Sequence, residues 1–530
     1  MRPALRGKAA SALIALACGA AAGFAHPPYG LLPGLLGWAG LLWLLSRADT
    51  ARPLRSAFWR GWWMGVGYFL VGTWWVAEAF LVDAAAHGWM APIAVMLLPM
   101  GMGLFWGAAA ALYRRLGFQG PERVLVFAVV FGVTEWLRGR LLTGFPWNLP
   151  GETWAAGSPV SQTAAIVGVY GLTLLTLAIA TAPATLLDAG PRRSRAIAPV
   201  LALLTLVSLY GYGAWRLSLA EVRPTAIDLR IVQADVDQKD KWVPENLPAI
   251  IEDYVRLSRL PGAERVDVVF WPEGALPAIV DQLFAPGSPY GARITEALLP
   301  GQHLFMGANR LGGSYAEPTY HNSLVVFRRD PQGLSVQGVY DKHRLLPFGE
   351  YLPLGGLMTR LGVRALVHMP SDYTPGPPPA PLLIPGLPPV QPLICYESVY
   401  PDLARRGAVQ PAWIVVPSND SWFGETTGPW QHLNIGAYRA IEQGVPVVRS
   451  TPTGVSALID PYGRIEPGDR LGLHAVGVID AALPAPLPFT IYRRWGEIPF
   501  GALIVFGAAV GVLFRTQRYK RRDSLAVGYL

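Results

Sequence analysis

The chain has 530 residues, 52% of them hydrophobic and 15% charged, with 19 Trp and a formal charge of +8. So much apolar and aromatic surface excludes a disordered chain, and the balance suits a polytopic membrane protein better than a soluble one. Lys and Arg fall in short clusters between apolar runs, a pattern of topology signals and not of a nucleic-acid-binding strip.

Apolar runs able to cross about 30 Å of hydrocarbon occur near residues 9–26, 30–46, 59–82, 89–113, 122–138, 160–187, 196–217 and 498–515. They predict eight spans, seven of them ahead of a polar region. The first run follows Arg2, Arg6 and Lys8 and contains Cys18, as a signal peptide would, but the spans beyond it favour an uncleaved first helix. Further basic clusters are Arg47, Arg52, Arg55 and Arg60 after span two, Arg114, Arg115 and Arg123 after span four, and Arg192, Arg193 and Arg195 after span six. The tail carries Arg515, Arg518, Lys520, Arg521 and Arg522, whereas the loops at 26–30 and 83–88 have no Lys or Arg. Cytoplasmic loops retain basic residues, so both termini are expected in the cytoplasm and residues 220–490 on the far side, which in a bacterium is the periplasm. Arg138 and Arg140 break the pattern. The Phe145-Pro146-Trp147 and Trp154 group is expected at the membrane interface, where amphipathic aromatics are favoured, with a lipid entrance as the alternative.

The polar region reads differently. Short β-type runs at 229–234, 266–271, 304–307, 323–327, 393–396, 413–417 and 445–450 alternate with helical stretches at 245–260 and 430–443, which predicts an α/β domain. Domain boundaries are expected at 1–222 for seven spans, 223–487 for a catalytic domain and 488–530 for a last span with its basic tail. Within the polar region, Leu354, Leu357, Met358, Leu361, Val363, Leu366 and Val367 form an apolar segment. It is read either as a membrane-touching lid or as a buried core helix.

Three chemical groups each adjoin a β-type run. Val268-Val269-Phe270-Trp271-Pro272-Glu273 delivers a carboxylate, Tyr340-Asp341-Lys342 an ammonium, and Pro392-Leu393-Ile394-Cys395 a thiol ahead of an expected helix. Each alone is ordinary: a Cys ending an apolar strand is usually a small buried filler. Together they supply a nucleophile, a base to take its proton and a positive donor for an oxyanion, the parts that acyl transfer requires. A helix N-terminus after Cys395 would favour the thiolate further. The only other cysteine is Cys18, so no disulfide framework exists, and the eight histidines show no metal-ligand spacing, so neither metal nor cofactor is expected. There is no phosphate-binding loop and no GxSxG elbow.

Trp271-Pro272-Glu273, Lys342 followed by Pro347-Phe348-Gly349-Glu350-Tyr351, Cys395-Tyr396-Glu397 and Asn419-Asp420-Ser421-Trp422-Phe423 together resemble the nitrilase (carbon-nitrogen hydrolase) superfamily. With the membrane spans added, nearly the whole chain resembles the apolipoprotein N-acyltransferase family. The resemblance implies a multi-pass α-helical membrane domain plus an α/β nitrilase-like αββα sandwich. It implies Glu273 as general base, Lys342 stabilising the tetrahedral intermediate and Cys395 as the acyl thioester, with Glu350, Tyr396, Glu397 and Trp242 in support. It further implies a phospholipid acyl donor, with phosphatidylethanolamine as the expected headgroup, a diacylglyceryl-apolipoprotein acceptor, no nucleic acid partner, and the bacterial inner membrane as location. The rival readings are a membrane-tethered amidase using the same triad, and a transporter or scaffold with a silent α/β domain. Few ionisable residues lie within the predicted spans, which argues against the transporter.

Overall fold

The computed structural model describes residues 7–527, apart from 190, 315, 354, 356–371 and 406, and no side chain beyond 517. The apolar segment containing Leu354, Leu357, Met358, Leu361, Val363, Leu366 and Val367 lies outside the described residues. The chain divides into two compact units, one of Met1–Ala77, Trp89–Leu219 and Arg494–Leu530, the other of Glu78–Gly88 and Ala220–Arg493.

The first unit is helical, with a helix at each of the eight positions where the sequence predicts a span. Among the described residues, four stretches are long and apolar enough to cross a membrane: Ala84–Leu116, Val160–Leu187, Arg192–Ser218 and Ile498–Gln517. Lys8–Gly23 and Leu32–Leu45 are apolar but shorter. The third predicted span, 59–82, is corrected: its helix covers Pro53–Thr73, and Val76–Leu81 forms a separate short helix. Helices approach closely where side chains vanish. A Cβ on Gly65 would stand 2.7 Å from the Gly103 Cα, so Pro53–Thr73 and Ala91–Leu116 pack nearly backbone to backbone. Trp38, Tyr68, Trp106, Phe127 and Phe131 fill the interior, with Phe127 and Phe131 stacked at 4.2 Å.

The buried charged groups Glu135 and Arg138 in this unit are paired, as a hydrocarbon surrounding favours. Glu135 Oε1 accepts from the Trp106 indole at 2.6 Å, and Arg138 donates to Glu135 and to the Trp147 carbonyl at 3.1 Å. Arg140 pairs with Glu497. Both arginines are therefore held by structural partners, which explains why they depart from the topology pattern. Trp147 is 1% exposed and packs on Trp75 with ring centroids 4.8 Å apart, so its ring faces the protein interior. Trp154 is half-buried, bonds Thr176 at 2.8 Å and lines an apolar cavity of about 630 Å³.

The second unit is a four-layer αββα sandwich. Strands β1 (Pro224–Gln233), β2 (Val268–Trp271), β3 (His303–Gly313), β4 (Pro318–Asp330), β5 (Gly333–Asp341) and β11 (Gly477–Pro484) form one sheet in the order β11-β1-β2-β3-β4-β5. The other sheet runs β10-β9-β8-β7-β6, from β6 (Val390–Pro392), β7 (Trp413–Pro417), β8 (Val447–Ser450), β9 (Ser456–Ile459) and β10 (Arg470–Leu471). β1, β2 and β3 are parallel, as are β6, β7 and β8, and an antiparallel strand follows each trio. Alternation along each strand builds the layers. Val268 and Phe270 point toward the other sheet, meeting Trp413, Val415 and Val448, while Val269 and Trp271 point outward onto Tyr254 and Val255 of the helix Leu247–Ser258. The helix Gly428–Gln443 covers the second sheet at β8.

Candidate active site

Three strand ends place the candidate triad. Glu273 stands two residues beyond β2, Lys342 directly follows β5, and Cys395 lies three residues past β6. Loops at strand ends can carry polar groups that the strands cannot. All three side chains are nearly buried, with Glu273 8% exposed, Lys342 2% and Cys395 8%. The Lys342 ammonium donates to Glu273 Oε1 at 3.2 Å and to Glu350 Oε1 at 2.9 Å. Asn322, in the middle of β4, donates one amide hydrogen to each glutamate, both at 2.7 Å. Glu350 is anchored in turn, since its Oε2 accepts from the Leu346 backbone N–H at 2.7 Å.

Electrostatics follow from this packing. Burial pushes the Cys395 thiol up and the Glu273 charge pushes it further, against the Lys342 ammonium and a hydrogen bond with Ser418. The resting thiol is therefore protonated. Burial alone would lower Lys342, but the Glu273 and Glu350 carboxylates and the Cys395 sulfur hold it well above its usual value, so it remains a fixed cation near Cys395. Glu397 is fully buried and is pushed up to about 7 by burial, opposed by backbone N–H donors of Arg344 and Ile394 and by Lys342. Its Oε1 accepts from Tyr340 Oη at 2.8 Å, from the His343 N–H at 2.9 Å and from the Arg344 N–H at 3.1 Å, while Oε2 accepts from the Ile394 N–H at 2.8 Å. Glu397 thus ties the loop carrying Lys342 to the turn carrying Cys395. The buried Tyr396 hydroxyl accepts from Tyr400 at 2.8 Å. Trp242 is half-buried just after the short helix Gln238–Lys241.

Two expectations are corrected. The strand ahead of the cysteine is 390–392 and not 393–396. Cys395 itself adopts φ +48°, in the left-handed region, and opens a five-residue 3-10 turn, Cys395–Val399. The expected helix is absent there, so no helix dipole favours a thiolate, and burial pushes the thiol the other way. Sequence reading also missed Asn322 and Lys241. Lys241 is buried, which brings its ammonium down to about 8, opposed by Glu273. The only signal for Asn322 was an amide at the edge of the apolar run Leu324-Val325-Val326. Among the described residues, no group of three or more His, Cys, Asp or Glu is arranged to hold a metal ion.

Residues 18–182 match the family profile of the apolipoprotein N-acyltransferase N-terminal domain, and residues 229–485 match the carbon-nitrogen hydrolase profile. An apolipoprotein N-acyltransferase of Caulobacter vibrioides is 54% identical over 95% of this chain and 94% of its own. One of Rhodopseudomonas palustris is 38% identical over 93% of each chain. Among solved structures, a Nesterenkonia amidase of the nitrilase superfamily is 18% identical, covering 53% of this chain and 97% of its own, with a TM-score of 0.34. With identity at these levels along nearly its whole length, the chain belongs to the apolipoprotein N-acyltransferase family, whose catalytic unit is of the carbon-nitrogen hydrolase superfamily.

Proposed function

We propose that this chain is a membrane N-acyltransferase that moves a fatty acyl group from a phospholipid, through a thioester on Cys395, to the α-amine of the diacylglyceryl cysteine of an apolipoprotein. The observation that carries this reading is the buried Glu273–Lys342–Glu350 cluster bearing on the Cys395 thiol. Because the thiol rests protonated, its proton passes to Glu273 as Sγ bonds to the ester carbonyl carbon. Lys342 and the Tyr396 backbone N–H carry the charge that develops on the carbonyl oxygen. The ester C–O bond then breaks, and Glu273 returns the proton to the departing lysophospholipid hydroxyl. In the second half, the acceptor amine bonds to the thioester carbon and loses a proton to Glu273, the C–S bond breaks, and the thiol is regained.

Phosphatidylethanolamine as donor, the inner membrane as location and residues 220–490 as a periplasmic domain complete the proposal. The basic clusters support that orientation. Both substrates are lipid-anchored, so chemistry at a bilayer surface avoids exposing acyl chains to water at about 0.8 kcal/mol per CH₂. Purified protein incubated with phosphatidylethanolamine and a diacylglyceryl peptide should add one acyl mass to the peptide amine. Release of free fatty acid with no peptide acylation, or release of ammonia from small amides, would favour a hydrolase instead.

A further inference from the structure

The Cys395 backbone is held in an unusual conformation. A left-handed φ of +48° is unfavourable for any residue with a Cβ, and persists only where the surroundings over-determine it. The surroundings here are a buried polar network unused by the proposed chemistry. The Cys395 carbonyl accepts from Ser398 Oγ at 2.8 Å and lies 3.2 Å from His432 Nε2, on the helix Gly428–Gln443. His432 Nδ1 faces Asp420 Oδ1 at 3.0 Å, and Arg449 bonds the other oxygen of that carboxylate. Ser418 joins the two halves, donating to Asp420 Oδ1 at 2.8 Å while also hydrogen-bonding the Cys395 side chain. His432, Asp420 and Arg449 are each at most 1% exposed. Burial alone would raise the Asp420 carboxyl, but Arg449 and His432 hold it below the usual carboxylate range, so it stays an anion that fixes Arg449. Burial and Arg449 keep His432 neutral; Arg449 lies 3.1 Å from Nδ1, and with Nδ1 accepting there the single imidazole N–H sits on Nε2, 3.0 Å from Ser398 Oγ and 3.2 Å from the Cys395 carbonyl.

Resting on the reading of Cys395 as nucleophile, we propose that His432, held by the Asp420–Arg449 pair and acting with Ser398, is a positioning residue that clamps the Cys395 carbonyl and so sets the turn that aims both Sγ and the following N–H at the acyl carbon. His432 touches no reacting atom. Its effect falls on geometry that acyl transfer needs and simple alkylation does not. Alkylation of a thiol by iodoacetamide is a displacement at saturated carbon and forms no oxyanion, whereas acylation depends on donors placed within tenths of an ångström.

The test compares the two reactions in the full-length protein in detergent. In His432→Ala, Cys395 acylation by phosphatidylethanolamine should slow about 100-fold, at unchanged KM, while iodoacetamide alkylation of Cys395 changes less than about threefold. His432→Gln, which can still donate to the carbonyl, should recover part of the acylation rate. Ser398→Ala reads the same contact at small volume cost and should lower the ratio of acylation to alkylation in the same sense, which decides the matter if His432→Ala does not fold. A ratio unchanged from wild type in Ser398→Ala and His432→Gln, or wild-type acylation in His432→Ala, would overturn the inference. Cys395→Ala in parallel separates the two claims: activity surviving there fails the nucleophile assignment, whereas its loss with an unchanged ratio in the other variants fails the positioning role alone.

Discussion

Asn322→Asp tests whether the two glutamates and Lys342 work as one electrostatic unit. Asn322 donates to Glu273 and Glu350 at 2.7 Å each, so the substitution deletes two donors and sets a third carboxylate in the same place. Two carboxylates about 4 Å apart at an effective dielectric near 20 repel by about 4 kcal/mol, equivalent to about 3 pKa units. Lys342, bonded to both glutamates at 3.2 and 2.9 Å, offsets part of this, and the added charge still makes the cluster harder to ionise. A general base works only when ionised, so the acid limb of the acylation rate should move to higher pH. Asn322→Leu removes the donors without adding charge. Hydrogen bonds to charged groups are worth about 1.5 to 3 kcal/mol, and loss of one such contribution slows acylation about 10- to 100-fold without that displacement of the limb. Rapid-quench measurement of acyl-enzyme formation between pH 4 and 9 reads both effects. An acid limb in Asn322→Asp that coincides with wild type would refute the reasoning.

Three further outcomes follow from other parts of the molecule. Arg138→Met leaves the Glu135 charge buried without its cation and should cost the helical unit about 3 to 5 kcal/mol, whereas Glu135→Gln combined with Arg138→Met should cost clearly less; equal losses of thermal stability would contradict the buried pair. Asp420 has a carboxyl held below its ordinary range by Arg449 and His432 against burial, so its contribution to stability is present above about pH 4 and is lost as pH falls below that. Thermal unfolding should accordingly show Asp420→Asn less stable than wild type at pH 7, with the gap closing in acid, and a gap constant with pH would contradict this. For topology, Lys239→Cys should react with an impermeant thiol reagent added outside the inner membrane and Ser194→Cys should not, both positions being exposed on their own units; the opposite pattern would invert the proposed orientation.

Much of this architecture was legible because it rests on periodicity. Apolar runs marked a helix at every predicted span, and buried strands such as Val268–Trp271 and Trp413–Pro417 stood out as unbroken apolar stretches. β5 was legible only at its end, Tyr340-Asp341, because as an edge strand it alternates Ser, Gln and Gly with exposed Val336 and Val339 and buries too little to mark its length. β9, β10 and β11 were missed as well: β9 is buried but only four residues long, β10 has two residues, and β11 has mixed burial. At the candidate site, Glu273, Lys342 and Cys395 were visible as chemistry at strand ends. The left-handed turn at Cys395 was not, since it comes from contacts with Ser398 and His432. Asn322 was hidden for a similar reason: its role depends on two carboxylates 49 and 28 residues away in sequence.

The central claim is that Cys395 carries the acyl group between donor and acceptor, and one mass measurement bears on it most directly. Wild-type protein given phosphatidylethanolamine and no acceptor should accumulate one fatty acyl mass on the peptide containing Cys395, removable by neutral hydroxylamine, and Cys395→Ala should carry none. Lys342→Ala should form the adduct about 100 to 1,000 times more slowly, the loss expected for removing an oxyanion donor. An adduct mapping to Cys18, or wild-type acylation rates without Lys342, would contradict the account.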